Sequence, residues 1–384
     1  MKLFYEWGTK QLQKHGEELC GDNVAIARHA DYVTLALSDG LGSGVKANIL
    51  SILTTRIAMH LMENELSLGE VVETLGKTLP VCDIRKLAYS TFAIGQFFRD
   101  GHARVVEFDT PSLILLRRRK SLPVIYEERE IGGKNIHESE LQLKIGDWIV
   151  FVSDGVVNAG IGGLYPLGWG LDQVVRFLEQ HCHPDLSAQE LADKLGQAVW
   201  DLYCNRPGDD VSVAVIKARR KLTATVLTGP PVDRNADKTL VSRFAQRRGF
   251  LAVCGGTTAK IVARHLGGKA LEVDLATMKP DVPPSARIEG VDLTTEGILT
   301  LTQANNLLNS GANKETVKFQ TDGASALVRL CLEVDHVHFI VGMGVNPAHQ
   351  NPDLPGQLGI KLAVVREIAE KLRKRGKEVT IETV

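Results

Sequence analysis

Thr34-Leu35-Ala36-Leu37-Ser38-Asp39-Gly40-Leu41-Gly42-Ser43-Gly44 is the stretch on which the reading of this chain turns. Val33 to Leu37 is an uninterrupted apolar run of the kind found in a buried strand. It ends at Ser38-Asp39-Gly40, and a glycine-rich turn then opens a segment whose apolar residues recur at helical spacing. A carboxylate is thereby delivered to the mouth of a rigid element. Gly40 permits a sharp turn beside Asp39, so a carboxylate and a bare peptide carbonyl can face one point, which suits an oxygen-seeking cation such as Mg2+ or Mn2+.

The pattern recurs along the first half of the chain. Trp148 to Val152 is another apolar strand, emptying into Ser153-Asp154-Gly155; Gly208-Asp209-Asp210 leads into the strand Val211 to Ile216; and Gly21-Asp22-Asn23 lies near the start. Four acidic strand ends in one half of a chain match the needs of a two-metal centre. Two hard divalent cations about 3.5 to 4 Å apart require shared carboxylates, with water completing each octahedron.

The 384 residues suggest two domains, since one core rarely grows that large. With 44% hydrophobic and 24% charged residues and a net charge of -1, neither nucleic acid nor an anionic membrane is expected as a partner. The basic runs Arg117 to Lys120, Arg219 to Lys221 and Arg373 to Lys377 read as turns and a helix end. Six cysteines without paired spacing, Cys20, Cys82, Cys182, Cys204, Cys254 and Cys331, indicate a reduced protein. The N-terminal residues lack a signal-peptide core and no apolar run approaches the ~20 residues of a membrane span, so a soluble, cytoplasmic protein is expected.

Strands are expected at Ala25 to Arg28, Val33 to Leu37, Tyr89 to Phe97, Ala103 to Phe108, Leu113 to Arg117, Val124 to Glu127, Gln142 to Val152 and Val211 to Ile216. Helices are expected at Ser43 to Met62 (Val45, Ile49, Ile52, Leu53 and Ile57 at helical spacing), Leu66 to Leu79, Leu171 to Glu179 and Ala188 to Tyr203. Strands and helices in blocks argue for an α+β fold, an antiparallel sandwich flanked by helices.

On these residues the first 217 positions resemble the metal-dependent PPM-type serine/threonine protein phosphatases. Asp22, Ser38-Asp39-Gly40 with Gly42-Ser43-Gly44, Ser153-Asp154-Gly155 and Asp209-Asp210-Val211-Ser212 fall in that family's order, and Asp-Gly followed by Gly-x-Gly is similar to the bacterial SpoIIE-like branch. The resemblance implies that Asp39 bridges two metals, that Asp22 and the carbonyl of Gly40 complete one site, and that Asp154 and Asp209 hold the other. Asp210 is a near equivalent of Asp209, but strand alternation turns one of the pair away. Thr91 resembles a packing position beneath the site. Two departures stand out: Glu18-Leu19-Cys20 where animal members carry a phosphate-clasping arginine, and Asp109-Thr110-Pro111-Ser112 where the branch usually reads Gly-His-Pro-Pro. The implied activity is Mg2+- or Mn2+-dependent hydrolysis of phosphoserine or phosphothreonine on a partner protein, by water activated between two metals. A STAS-type anti-sigma antagonist is the implied substrate, and a homodimer through the helices of Ser43 to Leu79 would suit the branch.

Residues 218–384 change pattern. Strands at Ala224 to Leu227, Phe250 to Val253, Lys269 to Val273, His336 to Val341 and Val379 to Glu382 alternate with helices at Lys238 to Arg248, Ala259 to Leu266, Gly297 to Leu308, Ala324 to Glu333 and Ile360 to Arg375. This is the pattern of a layered α/β domain with a largely parallel sheet, whose ligands bind beyond the carboxyl ends of its strands. Thr228-Gly229, Gly255-Gly256-Thr257-Thr258 and Gly344 to His349 could meet there. Gly255 to Thr258 offers backbone N–H groups and two hydroxyls to a small anionic ligand, or forms a plain tight turn with a threonine cap. No family is apparent for this half. A second function follows: a regulatory module that senses the anion, with the phosphatase half as its output. Nucleotide hydrolysis fits less well, because the first half offers no aromatic slot for a base.

Overall fold

The computed structural model describes residues 2–64, 66–78, 90–131, 134–266, 272–274, 285–344 and 357–384. The chain forms two compact units, Met1–Arg220 and Lys221–Val384.

The first unit is built from β1 (Phe4–Leu12), β2 (Asp22–Arg28), β3 (Tyr32–Gly40), α1 (Gly44–Glu63), α2 (Leu68–Thr78), β4 (Ser90–Phe98), β5 (His102–Phe108), β6 (Ile114–Arg117), β7 (Lys120–Leu122), β8 (Glu127–Ile131), β9 (Lys134–Gln142), β10 (Asp147–Val152), α3 (Asp154–Val157), α4 (Leu171–His181), α5 (Ala188–Leu202) and β11 (Val211–Arg219). Two antiparallel sheets, ordered β1-β11-β10-β6-β7 and β2-β3-β4-β5-β9-β8, face each other. Between them lies a core that includes Tyr5, Leu35, Phe97, Phe151 and Ile216. The outer face of one sheet is covered by α3 to α5 and that of the other by α1 and α2, giving four layers. Side chains buried on both faces explain why β3, β10 and β11 read as continuous apolar runs rather than alternating ones.

Two expected strands need correction, and others were not foreseen. Of Gln142 to Val152 only Asp147 to Val152 form a strand, β10, because Leu143 to Gly146 turn, with Gly146 at φ +91 and the Lys144 N–H donating to Asp147; Gln142 closes β9, which was not foreseen. Val124 to Tyr126 is irregular between β7 and β8; Pro123 cannot donate to a ladder, and Ile125 is exposed. β1 was not foreseen, although it pairs with β11 along its whole length. In α1 the helical spacing holds, but Val45, Ile49, Ile52 and Leu53 point outward, while Ala47, Ser51, Thr54, Thr55 and Ala58 meet the protein.

The second unit contains β12 (Thr223–Thr228), α6 (Asp237–Ala245), β13 (Phe250–Cys254), α7 (Gly256–His265), β14 (Glu272–Asp274), β15 (Ser285–Arg287), β16 (Leu293–Thr295), α8 (Ile298–Asn309), α9 (Lys314–Val317), α10 (Gly323–Glu333), β17 (His336–Val341), α11 (Gln357–Lys374) and β18 (Glu378–Thr383). Its five-stranded sheet, β16-β13-β12-β17-β18, is entirely parallel. One face packs on α6 and α7 and the other on α8, α10 and α11. The strand expected at Lys269 to Val273 is not part of this sheet: residues 272–274 pair with 285–287 in a separate ribbon, and 269–271 lie outside the described residues. The short edge strand β16 was missed because three residues carry too little periodicity to register. Among the described residues, no helix is long and apolar enough to cross a membrane.

Candidate metal centre

Strand register assembles the acidic residues. In the β2–β3 ladder Asp22 stands opposite Asp39, and in the β3–β4 ladder Asp39 stands opposite Thr91. Gly40 sits where α1 crosses, so close that any Cβ would strike the carbonyl of Ala47. The other sheet contributes through a similar approach: a Cβ on Gly155 would strike the carbonyl of Asp210. That contact, with Ser153 N–H donating to Ser212 O (3.0 Å) and Ser212 N–H to Ser153 Oγ (2.8 Å), ties the Asp154 turn to the Asp209 turn. Tyr203 OH anchors the turn further by donating to Gly155 O (2.9 Å).

Asp39, Gly40, Asp154 and Asp209 line one cleft of about 530 Å³, with Thr91 beneath and Phe108, Asp109, Thr110 and Pro111 along the rim. Asp22 lies behind the cleft, 2% exposed, and neither of its carboxylate oxygens has a hydrogen-bond partner. Asp210 faces elsewhere: it is buried against Gly21, and its carboxylate accepts from Lys14 N–H (2.9 Å). Among the described residues no lysine or arginine enters the cleft lining.

Carboxylates gathered without a cation raise one another's pKa. Burial pushes Asp39 up to about 9, and the charges of Asp22, Asp154 and Asp209 push the same way. Burial, with Asp210's charge adding to it, pushes Asp22 up to about 7. Asp154 is raised by burial and then by Asp209. Cationic charge placed among them would relieve both the repulsion and the two orphaned oxygens of Asp22, so the residues present fit a divalent metal. Among the described residues no three His, Cys, Asp or Glu side chains are placed to hold an ion by themselves. That is compatible with Mg2+, which takes one or two carboxylates and fills its remaining positions with water.

Sequence reasoning treated Asp109 only as a departure. The structure makes it a rim residue at φ +51, a left-handed conformation uncommon outside glycine, and its charge raises Asp154 further. The available signal was that a glycine of the resembling branch is replaced at a position that needs positive φ.

In the second unit, Gly255 (φ +125) precedes α7, which has no side-chain cap, and a Cβ on Gly256, its first residue, would meet nothing within 4 Å. Thr258 Oγ1 accepts the Gly229 N–H (2.9 Å). That bond brings the Thr228-Gly229 and Gly255 to Thr258 loops together. Thr257 has a partner of its own. Of the third expected loop, Gly344 is described and residues 345–349 lie outside the described residues.

The sandwich is that of a phosphatase domain of the PP2C type, a metal-dependent class. Residues 29–219 match the family model described as Stage II sporulation protein E (SpoIIE), and this part of the chain belongs to that family. Similar solved structures include the phosphatase domain of the cell fate determinant SpoIIE from Bacillus subtilis, 20% identical, covering 57% of this chain and 94% of that one at a TM-score of 0.45. The SiaA-PP2C domain of Pseudomonas aeruginosa is 19% identical, covering 54% and 85% at 0.45. RsbX in complex with magnesium is 17% identical, covering 56% and 95% at 0.42. No curated relative matches this chain.

Proposed function

We propose that the first unit hydrolyses phosphoserine or phosphothreonine on a partner protein, with two divalent cations, Mg2+ or Mn2+, held by Asp22, Asp39, the carbonyl of Gly40, Asp154 and Asp209. The observation that carries this reading is the convergence of Asp39, Asp154 and Asp209 on one cleft that, among the described residues, contains no cationic side chain. When bound, the cations supply the positive charge that acidifies water and offsets charge building on the phosphoryl oxygens. Water attacks phosphorus in line, the P–O bond to the serine or threonine breaks, and the departing alkoxide takes a proton from solvent. Asp39 and Asp154 enter from different sheets, so the sandwich itself fixes their separation. Phe108 and Pro111 give the rim an apolar side against which a substrate backbone can rest. A STAS-type anti-sigma antagonist in a partner-switching circuit is the substrate we favour, on the resemblance to the SpoIIE-like branch. Free cysteines among the described residues suit a cytoplasmic setting. The test is phosphate release from an aryl phosphate and from a phosphoserine protein with added Mn2+. Activity that survives Asp39→Asn or Asp154→Asn would refute the assignment.

The boundary between the units supports a division of labour, in which residues 218–384 form a regulatory module that senses a small anion and the phosphatase half is its output. The start of α7 beyond β13 favours this reading, since it has no side-chain cap and Gly256, its first residue, faces open space at the carboxyl edge of the parallel sheet.

A further inference from the structure

The chain lays down β12 first, then β13 and β16 to one side of it, and then crosses to place β17 and β18 on the other. β12 and β17 are therefore neighbours whose connections leave in opposite directions, and a crevice opens beyond the carboxyl ends of such a pair. Here that place is formed by Thr228, Gly229 and Gly342. Gly342 N–H donates to Thr228 O (2.7 Å), and Gly229 and Gly342 are packed so closely that a Cβ on either would strike the other's backbone. Only glycine allows the ends of β12 and β17 to meet this closely beside Lys361.

Two side chains at this place have no internal purpose equal to their cost. Lys361 reaches from α11 to Gly342 O (3.4 Å) and lies against Gly229. Its amine is pushed below the usual lysine range by burial alone, and among the described residues no carboxylate pairs with it. A half-buried ammonium normally has a counter-charge. Thr228 is 1% exposed, and its Oγ1 has no hydrogen-bond partner. Alternation along β12 puts Thr228 on the face of Val226, the face that packs on Val365, Ile368 and Ala369 of α11. The spare hydroxyl and the unpaired amine thus share one side of the sheet. Beside them, tied in by the Gly229 to Thr258 bond, the uncapped N-terminus of α7 opens into free space over Gly256. A helix N-terminus carries partial positive charge and free N–H donors.

We infer that the second unit binds the phosphate group of a small phosphorylated metabolite in the crevice between β12 and β17, with Lys361 as the counter-charge, Thr228 Oγ1 as a donor and the start of α7 as the third wall. The inference rests on the sensing role proposed for this unit and gives it a site and a ligand class. It moves the centre of that site from the Gly-Gly-Thr-Thr turn to Lys361, a residue that sequence spacing does not single out.

The probe is inorganic phosphate, titrated by calorimetry into the full-length chain carrying Asp154→Asn in the presence of EDTA, so that the acidic cleft cannot hold it through metal. Saturable binding is expected, weakened about tenfold or more by Lys361→Met and by a smaller factor by Thr228→Val, and kept by Lys361→Arg, as loss of a charged hydrogen bond requires. Acetate should compete poorly; acetate binding as tightly as phosphate would overturn the phosphate assignment. Absence of binding, or binding indifferent to both Lys361→Met and Thr228→Val in variants whose thermal melts match the parent, would overturn the site. Regulation is read separately, as turnover of an aryl phosphate by the metal-loaded chain with and without Lys361→Met. Equal rates beside a positive titration would support the site and remove only the sensing role.

Discussion

In the sandwich, strands running in opposite directions bring Asp22, Asp39, Asp154 and Asp209 to one region, where burial and then the charges of Asp22, Asp154 and Asp209 raise the pKa of Asp39. In the parallel sheet all five strands end at one edge, and what gathers there is closely packed glycine backbone, threonine hydroxyls and the amine of Lys361, which has no counter-charge among the described residues. Each unit thus leaves charge uncompensated at its strand ends, negative in one and positive in the other. Uncompensated buried charge is costly, and it persists in a fold where something outside the chain completes it. The comparison separates two ways of building a site: register across antiparallel ladders, which sets pairs such as Asp22 opposite Asp39, and a shared edge, where loops meet whatever their register.

The largest effect that can break this comparison lies at Asp39. Removing a group that holds a catalytic cation forfeits several kcal/mol of transition-state stabilisation, so Asp39→Asn should lower turnover by about 10² to 10⁴-fold. The same change should raise the melting temperature of the metal-free chain, because it removes a carboxylate that three others repel. A variant that loses activity and is also destabilised without metal would mean that the cluster is not frustrated in the way described.

Glu107 provides the control, as a buried carboxyl that a proton alone can satisfy. It lies on the interior face of β5 with Ala103 and Val105, accepts the Leu113 N–H (2.8 Å), and is pushed up to about 7 by burial. In the unfolded chain it titrates near the ordinary glutamate value, so between pH 4.5 and 7 the folded state holds the extra proton. Its contribution is fully present below pH 4.5 and is lost as pH rises through about 7, a swing of about 2 to 3 kcal/mol. Glu107→Gln keeps an acceptor for Leu113 and should flatten that part of the stability profile, measured as the difference in urea melts between pH 4.5 and pH 8. An unchanged profile would show that Glu107 is not buried as a neutral acid. The contact also holds the loop that carries Asp109, so a slower turnover is expected if the loop shifts.

Much of the first unit was legible because its signals are local. A strand that ends in Asp-Gly is visible in sequence whatever its neighbours do, and the order of four such ends pointed to one fold. What escaped depended on distant partners. β1 is recognisable mainly through its pairing with β11, and Gly146 breaks an apolar run that periodicity alone would continue. The direction in which α1 faces could not be read from its spacing. Small residues meet α2 and the sheet, while the larger aliphatic residues face solvent. In the second unit the glycine turns were visible, but Lys361 lies more than a hundred residues from Gly255 and looks like any helix lysine until the sheet order puts it beside Gly229.

Gly155 offers a smaller effect that sharpens the register argument. Its Cα approaches the Asp210 carbonyl so closely that Gly155→Ala must push the Asp154 turn away from the Asp209 turn. Forcing a methyl into such a contact costs about 1 to 3 kcal/mol. The expected result is a modest loss of stability together with weaker Mn2+ binding by calorimetry. Lost stability with unaltered metal affinity would mean that the contact serves packing alone.

The smallest change in stability is expected on α1. Val45, Ile49, Ile52 and Leu53 form a stripe along the exposed side of the helix, near exposed Leu19, and they add little to the core of the first unit. Substitutions away from packed contacts usually fall within about 0.5 kcal/mol, so Ile49→Ser with Leu53→Ser should leave the melting temperature of a monomeric sample nearly unchanged. An aliphatic stripe of this kind is still costly to leave in water and marks a contact surface more often than chance. The homodimer that the family resemblance implies would use this stripe, and sedimentation at rising concentration distinguishes the outcomes. A dimer that the double substitution dissociates while the melt stays constant would assign the stripe to assembly. A chain that stays monomeric throughout would remove the dimer as its occupant, and a large drop in the melt would show that these side chains support the core of the first unit.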